Sequence, residues 1–334
     1  MAMRLFRISF TSALLSLTGC AAMQPSVSAI IPPASQYDAV LVDPATGAHL
    51  SVTTLAERLA SVDVVVVGEY HGHHAAHLLE ARLQQALYRQ HPNQVLTMEQ
   101  FNVDHQQDLD RYLNGQSGES EMVEDAAAWD NYRASYRPLV EFARQHDIPV
   151  VAANAPANIV RCVGRQGPGY LDSLPSAQRQ TLPTDPFLDT PDYLDKFVEA
   201  IGGSHGTENA SLSDRMRNTY RAQLLRDNTM AVSILGALQN HPGAQILHTT
   251  GTFHSEDRLG TVALLHQRAP SLDIAVITPV FWPFDAESPP IAEHRNAGDY
   301  LYFIQPLPEE YTDPEREREA MRARFGKSPT SDCD

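Results

Sequence analysis

Apolar, β-branched runs alternate along this chain with stretches whose apolar residues recur at helical spacing. Asp63 to Val67, Gln94 to Met98, Ile148 to Ala153, Ala244 to Thr250, Asp273 to Thr278 and Tyr300 to Ile304 read as strands. The first is apolar on both faces, as strands buried between two helix layers are. Helices are expected at Ser51 to Ala60, His74 to Gln90, Asp104 to Leu113, Tyr136 to Gln145, Ser213 to Gln239 and Arg258 to Arg268. In the second of these, Leu78, Leu79, Leu83, Ala86 and Leu87 carry the period; Pro138 sits in the first turn of the fourth. Pro92-Asn93 and Asn114-Gly115 act as stops, and Tyr37 to His49 reads as a hairpin. The alternation predicts an α/β protein with a mostly parallel central sheet, flanking helices and right-handed crossovers. The rhythm fails over residues 157–213, where Gly and Pro are frequent, so a helical insertion or lid is expected there. One domain over 37–310 and a polar tail over 311–334 complete the plan; the alternating Glu and Arg of the tail suit a solvated helix.

Polar residues with useful chemistry cluster where the apolar runs end. Glu69 and His71 follow the first run, Glu99 the second, Asn154 the third and His254 a fourth. In one parallel sheet those ends share an edge, which is where open α/β sheets bind ligands. Gly68-Glu69-Tyr70-His71 and Gly251-Thr252-Phe253-His254 share the spacing Gly-x-x-His, in which the glycine lets the chain turn and the histidine is then presented. Two such imidazoles plus Glu69 or Glu99 match the ligand count of a divalent metal, with His71 and His254 as ligands. The same groups equally suit a general base held by a carboxylate. His73, His74 and His77 fall at the start of a helix and are expected on its surface or at the rim of the pocket; His77 is the one best placed to reach a ligand.

Composition narrows the partners. With 43% hydrophobic and 20% charged residues the chain is that of a folded protein, and its formal net charge of -16 argues against nucleic acid. The N-terminus has Arg4 and Arg7 ahead of a short apolar stretch, Ile8 to Leu17, too short to span a bilayer. It ends in Leu17-Thr18-Gly19-Cys20, which resembles a bacterial lipobox. That implies a signal peptide over 1–19, lipidation of Cys20, a tether over 20–36 and, with Ala21 rather than Asp next, an outer-membrane lipoprotein facing the periplasm. Cys162 and Cys333 could pair in such an oxidising compartment. The polar surroundings of Cys333 instead favour two free thiols or a dispensable bridge.

The order of motifs then resembles the TIKI/TraB and erythromycin-esterase-like superfamily, and within it the ChaN branch of haem-binding lipoproteins. The matching pieces are Val65 to His71, Thr97-Met98-Glu99-Gln100-Phe101, Trp129 with Tyr136-Arg137-Pro138-Leu139, Val151 to Pro156, Gln223 with Asp227, Met230 and Ala231, and Gly251 to His254. They run in order over roughly residues 60 to 270. The resemblance implies a ChaN-like fold that binds ferric haem, held between two subunits, and contributes to haem and iron uptake, with an outer-membrane haem receptor as a further partner. It also implies a tyrosine iron ligand assisted by histidine. Tyr136 matches that tyrosine and Tyr132 is the runner-up, with His71, His77, Glu69, Glu99, Asn154 and His254 around the cofactor. A phenolate suits ferric iron. The other expectation is a hydrolase in the same crevice, dependent on metal or on the Glu/His pairs. There Glu69 or Glu99 would activate water, and His71 and His254 would hold metal or act as base. No Gly-x-Ser-x-Gly nucleophile motif is present.

Overall fold

The computed structural model describes residues 30–202, 213–326 and 333. The signal segment, Cys20 and most of the tether lie outside the described residues. Strand β1 (Val40–Asp43) and β2 (Ala48–Leu50) open the fold, then α1 (Val52–Arg58), β3 (Val64–Glu69), α2 (His74–Gln90) and β4 (Gln94–Asn102). After them come α3 (Gln106–Leu113), α4 (Glu119–Asp125), α5 (Tyr132–Ser135), α6 (Arg137–Gln145) and β5 (Val150–Asn154). The insertion holds α7 (Ala157–Gln166), α8 (Ser176–Gln180) and α9 (Tyr193–Gly202). The long α10 (Asp214–Asn240), β6 (Gln245–Gly251), α11 (Thr261–Arg268), β7 (Ile274–Phe281), β8 (Tyr300–Ile304) and α12 (Pro314–Gly326) finish the chain.

The eight strands form one sheet in the order β2-β1-β8-β7-β3-β6-β4-β5. Neighbours from β8 to β5 are parallel, and β1 runs antiparallel to both β2 and β8. The chain thus leaves β3 for β4 and β5, returns through α10 to insert β6 between β3 and β4, and then crosses to β7 on the other side of β3. β3 and β6 therefore sit at the centre, and crossovers depart from them in both directions.

Strand alternation sorts the core into two layers. Val65 and Val67 pack with α2 and α6 through Leu83, Leu87, Leu139 and Val140. Val64 and Val66 pack with α10 and α11 through Ala231, Ile234, Val262 and Leu265. Register aligns the strand ends: Glu69 pairs beside Gly251 across β3 and β6, and Met98 beside Thr249 across β4 and β6.

Several boundaries differ from the sequence expectation. β4 continues through Glu99 to Asn102, with a register shift against β5 between Met98 and Asn102, so Glu99 lies inside a strand and not beyond it. α11 starts at Thr261 rather than Arg258, because Asp257, Arg258 and Gly260 all take positive φ (61°, 58° and 57°) and break the helix there. α4 and α5 are too short for a periodicity to register.

The cysteines need a correction. Cys162 and Cys333 form a disulfide with Cα atoms 5.5 Å apart across 171 residues of sequence. Cys162 lies on the buried face of α7, and Gln166 Nε2 donates to the Cys333 carbonyl at 2.5 Å, so the polar tail returns to the insertion. Closing so long a loop restricts the unfolded chain, a stabilisation of about 2–5 kcal/mol. Cys162→Ser should therefore lower the melting temperature by several degrees, and thiol titration of the unreduced, denatured wild type should find neither cysteine free. An unchanged melting point would show the bridge to be dispensable.

Candidate active-site crevice

Glu69, the last residue of β3, is buried with only 1% of its surface exposed. A buried carboxylate needs donors, and three residues from different segments supply them. Oε1 accepts from Tyr136 Oη (2.8 Å), from Gln100 Nε2 (2.9 Å) and from His71 Nδ1 (2.8 Å). Oε2 lies 2.9 Å from His77 Nδ1, close but poorly aligned; that nitrogen is better directed at Glu80 Oε2, 3.2 Å away. Burial works against the Glu69 charge, but the hydrogen bonds from the two histidines win and hold its pKa down at about 2. Glu80 shows the opposite balance: burial, then the Glu69 charge, lift it to about 8.

The second pole of the crevice is built around His254, in the turn after β6. Its Nδ1 is bonded to Asp227 Oδ1 of α10 at 2.7 Å, and its Nε2 lies 3.5 Å from Glu99 Oε1. Asp227 is itself oriented by Tyr193 Oη (2.6 Å) and Thr261 Oγ1 (2.9 Å). Glu99 Oε2 accepts from Thr250 Oγ1 (2.7 Å) and from the Gly251 amide (2.6 Å), which leaves Oε1 facing the imidazole. Burial opposes a charged His254, yet Asp227 and Glu99 raise it to about 10, so it is an imidazolium clasped by two carboxylates. Those contacts in turn hold Glu99 far below the usual carboxylate range against its own burial.

His71 stands between the poles. Its side chain is 43% exposed, its ring meets Trp129 edge-on at 4.8 Å, and its Nε2 has no hydrogen-bond partner among the described residues. A Cβ on Gly251 would lie 2.8 Å from that Nε2, so any other residue there would displace the ring from this position. The second Gly-x-x-His glycine thus serves close approach, with an ordinary φ of -55°. Asn154 ends β5, 1% exposed, with Nδ2 unpartnered.

Not every expected residue reaches the crevice. Tyr136 and Tyr132 are core residues, 0% and 1% exposed. The Tyr136 phenol donates to Glu69, and burial together with the Glu69 and Glu80 charges drives its pKa far upward, so it is held as a neutral donor facing inward. His73 is buried and caps α2, its Nδ1 accepting from the Ala75 amide at 3.2 Å and its Nε2 bonded to the Gln305 carbonyl at 2.9 Å. His74 stacks on Tyr37 at the surface.

Among the described residues, no group of three ligand-type side chains within 4.8 Å of one another includes both His71 and His254. Among the described residues, the cluster whose ligand atoms fall within 4.8 Å of one another is Glu69, His77 and Glu80. Even there the Gly72 amide donates to His77 Nε2 at 3.1 Å, which leaves the ring proton on Nδ1, between the carboxylates, where a metal would have to sit. Asp227 entered the sequence reading only as part of a motif, and Gln100 and Glu80 carried no role. The available signal was a charged residue on the apolar stripe of a helix: Asp227 among Leu224, Leu225 and Ala231, and Glu80 among Leu79, Ala81 and Leu83.

Residues 55–265 match the family described as haem-binding uptake, Tiki superfamily, ChaN. The chain belongs to that family. A solved structure described as cofacial heme binding to ChaN of Campylobacter jejuni superposes with a TM-score of 0.59 at 15% identity, over 82% of this chain and 100% of that one. At that identity it establishes the shared fold: the ChaN-like α/β sheet. A mutant of the erythromycin esterase EreC in its open conformation (TM-score 0.42, 13% identity, 82% of this chain and 83% of that one) is more distant. So is RRSP, a MARTX toxin effector domain from Vibrio vulnificus (TM-score 0.39, 16% identity, 70% and 36%). No curated protein matches the chain. Membership of the ChaN family supports a haem-binding, uptake-type function in its coarse form.

The Glu80 proton can be tested by pH. Its folded pKa lies above the ordinary 4.5, so the folded state binds the extra proton. The resulting stability is full below pH 4.5 and is lost as pH rises through about 8. Glu80→Gln keeps the shape and has no proton to lose. Its stability relative to wild type should improve by about 1–3 kcal/mol between pH 5 and pH 8.5. Parallel denaturation curves at both pH values would refute a protonated Glu80.

Proposed function

We propose that this ChaN-family protein binds haem at the crevice, with His71 as the iron ligand. The observation that carries the reading is the state of that side chain. Its Nδ1 is fixed by the Glu69 carboxylate at 2.8 Å, while Nε2 is unpartnered on a half-exposed ring beside Trp129. A carboxylate behind a ligating histidine orients the ring and raises its basicity. Haem also needs an axial donor and flat apolar cover. The imidazole and the indole supply these, whereas Tyr136 is sealed behind Glu69. The bound haem iron would supply the only redox or ligand-exchange chemistry of the complex; the protein's part is to hold and orient it.

On this reading the chain is a lipoprotein anchored through Cys20, facing the periplasm from the outer membrane. Pairs of subunits share the haem face, and the cargo comes from a haem receptor in the same membrane. The Cys162–Cys333 bridge is in keeping with an oxidising compartment. The second reading, a hydrolase, rests on one observation: a carboxylate and an imidazole are paired at the crevice, Glu99 Oε1 lying 3.5 Å from His254 Nε2.

Titration with hemin should give a saturable Soret change. His71→Ala should weaken binding at least tenfold, while Tyr136→Phe should retain it. Loss in Tyr136→Phe with retention in His71→Ala would assign the iron to the phenol instead. Absence of saturable binding by wild type, with ester or amide cleavage abolished by Glu99→Gln, would establish the hydrolase.

A further inference from the structure

The carboxyl edge of the sheet carries more than the crevice. Among the described residues, the large hydrophobic side chains most open to water are Ile31 and Phe284, each 76% exposed, and Tyr37, 59% exposed. All three belong to that edge. Phe284 comes just after β7, whose last residue, Phe281, stacks on Tyr70 beside His71 with ring centroids 4.3 Å apart. Ile31 and Tyr37 lie in the segment that leads into β1. Because β1 is antiparallel to β8, that segment arrives where β8 ends. Gln305, the residue after β8, donates to the Pro33 carbonyl at 2.9 Å, and its own carbonyl is bonded to His73 Nε2 at 2.9 Å. Tyr37 stacks on His74 at the start of α2.

Both exposed segments are anchored from below. Ile30 packs against the apolar cluster of Val42, Val280, Trp282, Leu301 and Phe303, and Ala286 joins the same cluster. Trp282 Nε1 donates to the Ala286 carbonyl at 2.9 Å and the Ala286 amide to the Pro283 carbonyl at 3.1 Å, which closes the turn that carries Phe284. Single exposed apolar residues need no partner, but three gathered on one edge mark a contact surface. The chain ahead of them indicates what covers it. Cys20 stands ten positions before Ile30, so a lipid on Cys20 lies within about 35 Å of this edge even at full extension. Residues 30–39 and 282–291 contain no lysine or arginine, whereas Asp38, Asp285 and Glu287 are among them. A patch of this kind has nothing to attract anionic headgroups and is suited to apolar insertion into a neutral lipid surface.

We propose that Ile31, Phe284 and Tyr37 dock the protein on the bilayer that holds its lipid anchor, which sets the carboxyl edge, and the mouth of the crevice with it, at the lipid surface. The proposal rests on the reading of Cys20 as lipidated. The Tyr37 phenol suits the headgroup level, and Ile31 and Phe284 suit the acyl boundary about 5–10 Å deep. Weak insertion is enough, because a short tether makes this second contact intramolecular. The patch takes the β1-β8-β7 part of the edge and the crevice the β3-β6-β4 part, so docking leaves the His71 imidazole open to its own ligand.

The test places an environment-sensitive dye on the full lipidated chain in phosphatidylcholine vesicles. The dye is carried by Ile31→Cys, by Phe284→Cys or, as a control, by Asn240→Cys at the end of α10, on the opposite edge of the sheet. The Cys162–Cys333 bridge leaves the introduced thiol as the labelling site. Labels at 31 and 284 should emit to the blue of the label at 240 and should be quenched by lipids brominated high on the acyl chain, while the label at 240 is not. Phe284→Ser should reduce the quenching of the label at 31. The two positions report independently, each checked by its melting curve. Equal quenching at all three positions, or none at 31 and 284, overturns the docking and leaves the anchor standing, since the intact mass records the lipid on Cys20 separately. Blue emission without bromine quenching, lost as the protein is diluted in lipid, assigns the patch to a second copy of the chain and also overturns it. A mass without lipid removes the anchor and the docking together.

Discussion

The burial of one carboxylate organises this molecule. Glu69 ends the central strand with almost no contact with water, and a charge so placed is tolerable only if its lone pairs are met by donors. Those donors come from β4 (Gln100), the turn after β3 (His71) and the start of α6 (Tyr136), while His77 of α2 stands 2.9 Å from the other oxygen as a charge neighbour. None of the four is adjacent to Glu69 in sequence, so satisfying the charge ties together elements that the hydrophobic layers alone would only press side by side. It also fixes the tyrosine. A phenol that completes the shell of a buried carboxylate is held in its protonated, inward-facing state.

The second pole repeats the principle with reversed sign. His254 is buried as a cation because Asp227 and Glu99 flank it, and Asp227 is positioned by Tyr193 from the insertion and Thr261 from α11. The insertion is therefore more than a cover: through Tyr193 it takes part in setting the imidazole. Gly251 joins the poles. Its amide holds Glu99 and its missing side chain leaves room for His71, so one residue serves both halves of the crevice.

Much of this was legible in the residues. The strands, their common edge and the convergence of Glu69, His71, Glu99 and His254 follow from apolar runs ending in polar groups, because a parallel sheet turns that local pattern into a shared location. The roles of individual side chains were not legible to the same degree. Tyr136 and His77 have the chemistry of ligands, and only the packing of α6 and α2 against β3 turns them inward. The strand pair β1 and β2 read as a hairpin, but nothing local says that β1 pairs antiparallel with β8, a contact made across most of the chain. Cys333 sits in a polar segment, and its return to α7 depends on tertiary contacts that composition does not encode.

The charge arrangement of the crevice also bears on what it can admit. Glu69, Glu99 and Asp227 would repel an anionic ligand if their charges stood open to it. They do not: each is turned into a hydrogen-bonded shell, and two of them are spent on His254. What they leave toward an incoming molecule is the His71 imidazole, whose Nε2 has no hydrogen-bond partner among the described residues. Formal net charge is therefore a poor guide to the crevice, because it sums over the whole surface whereas recognition depends on which charges remain unpaired at one place.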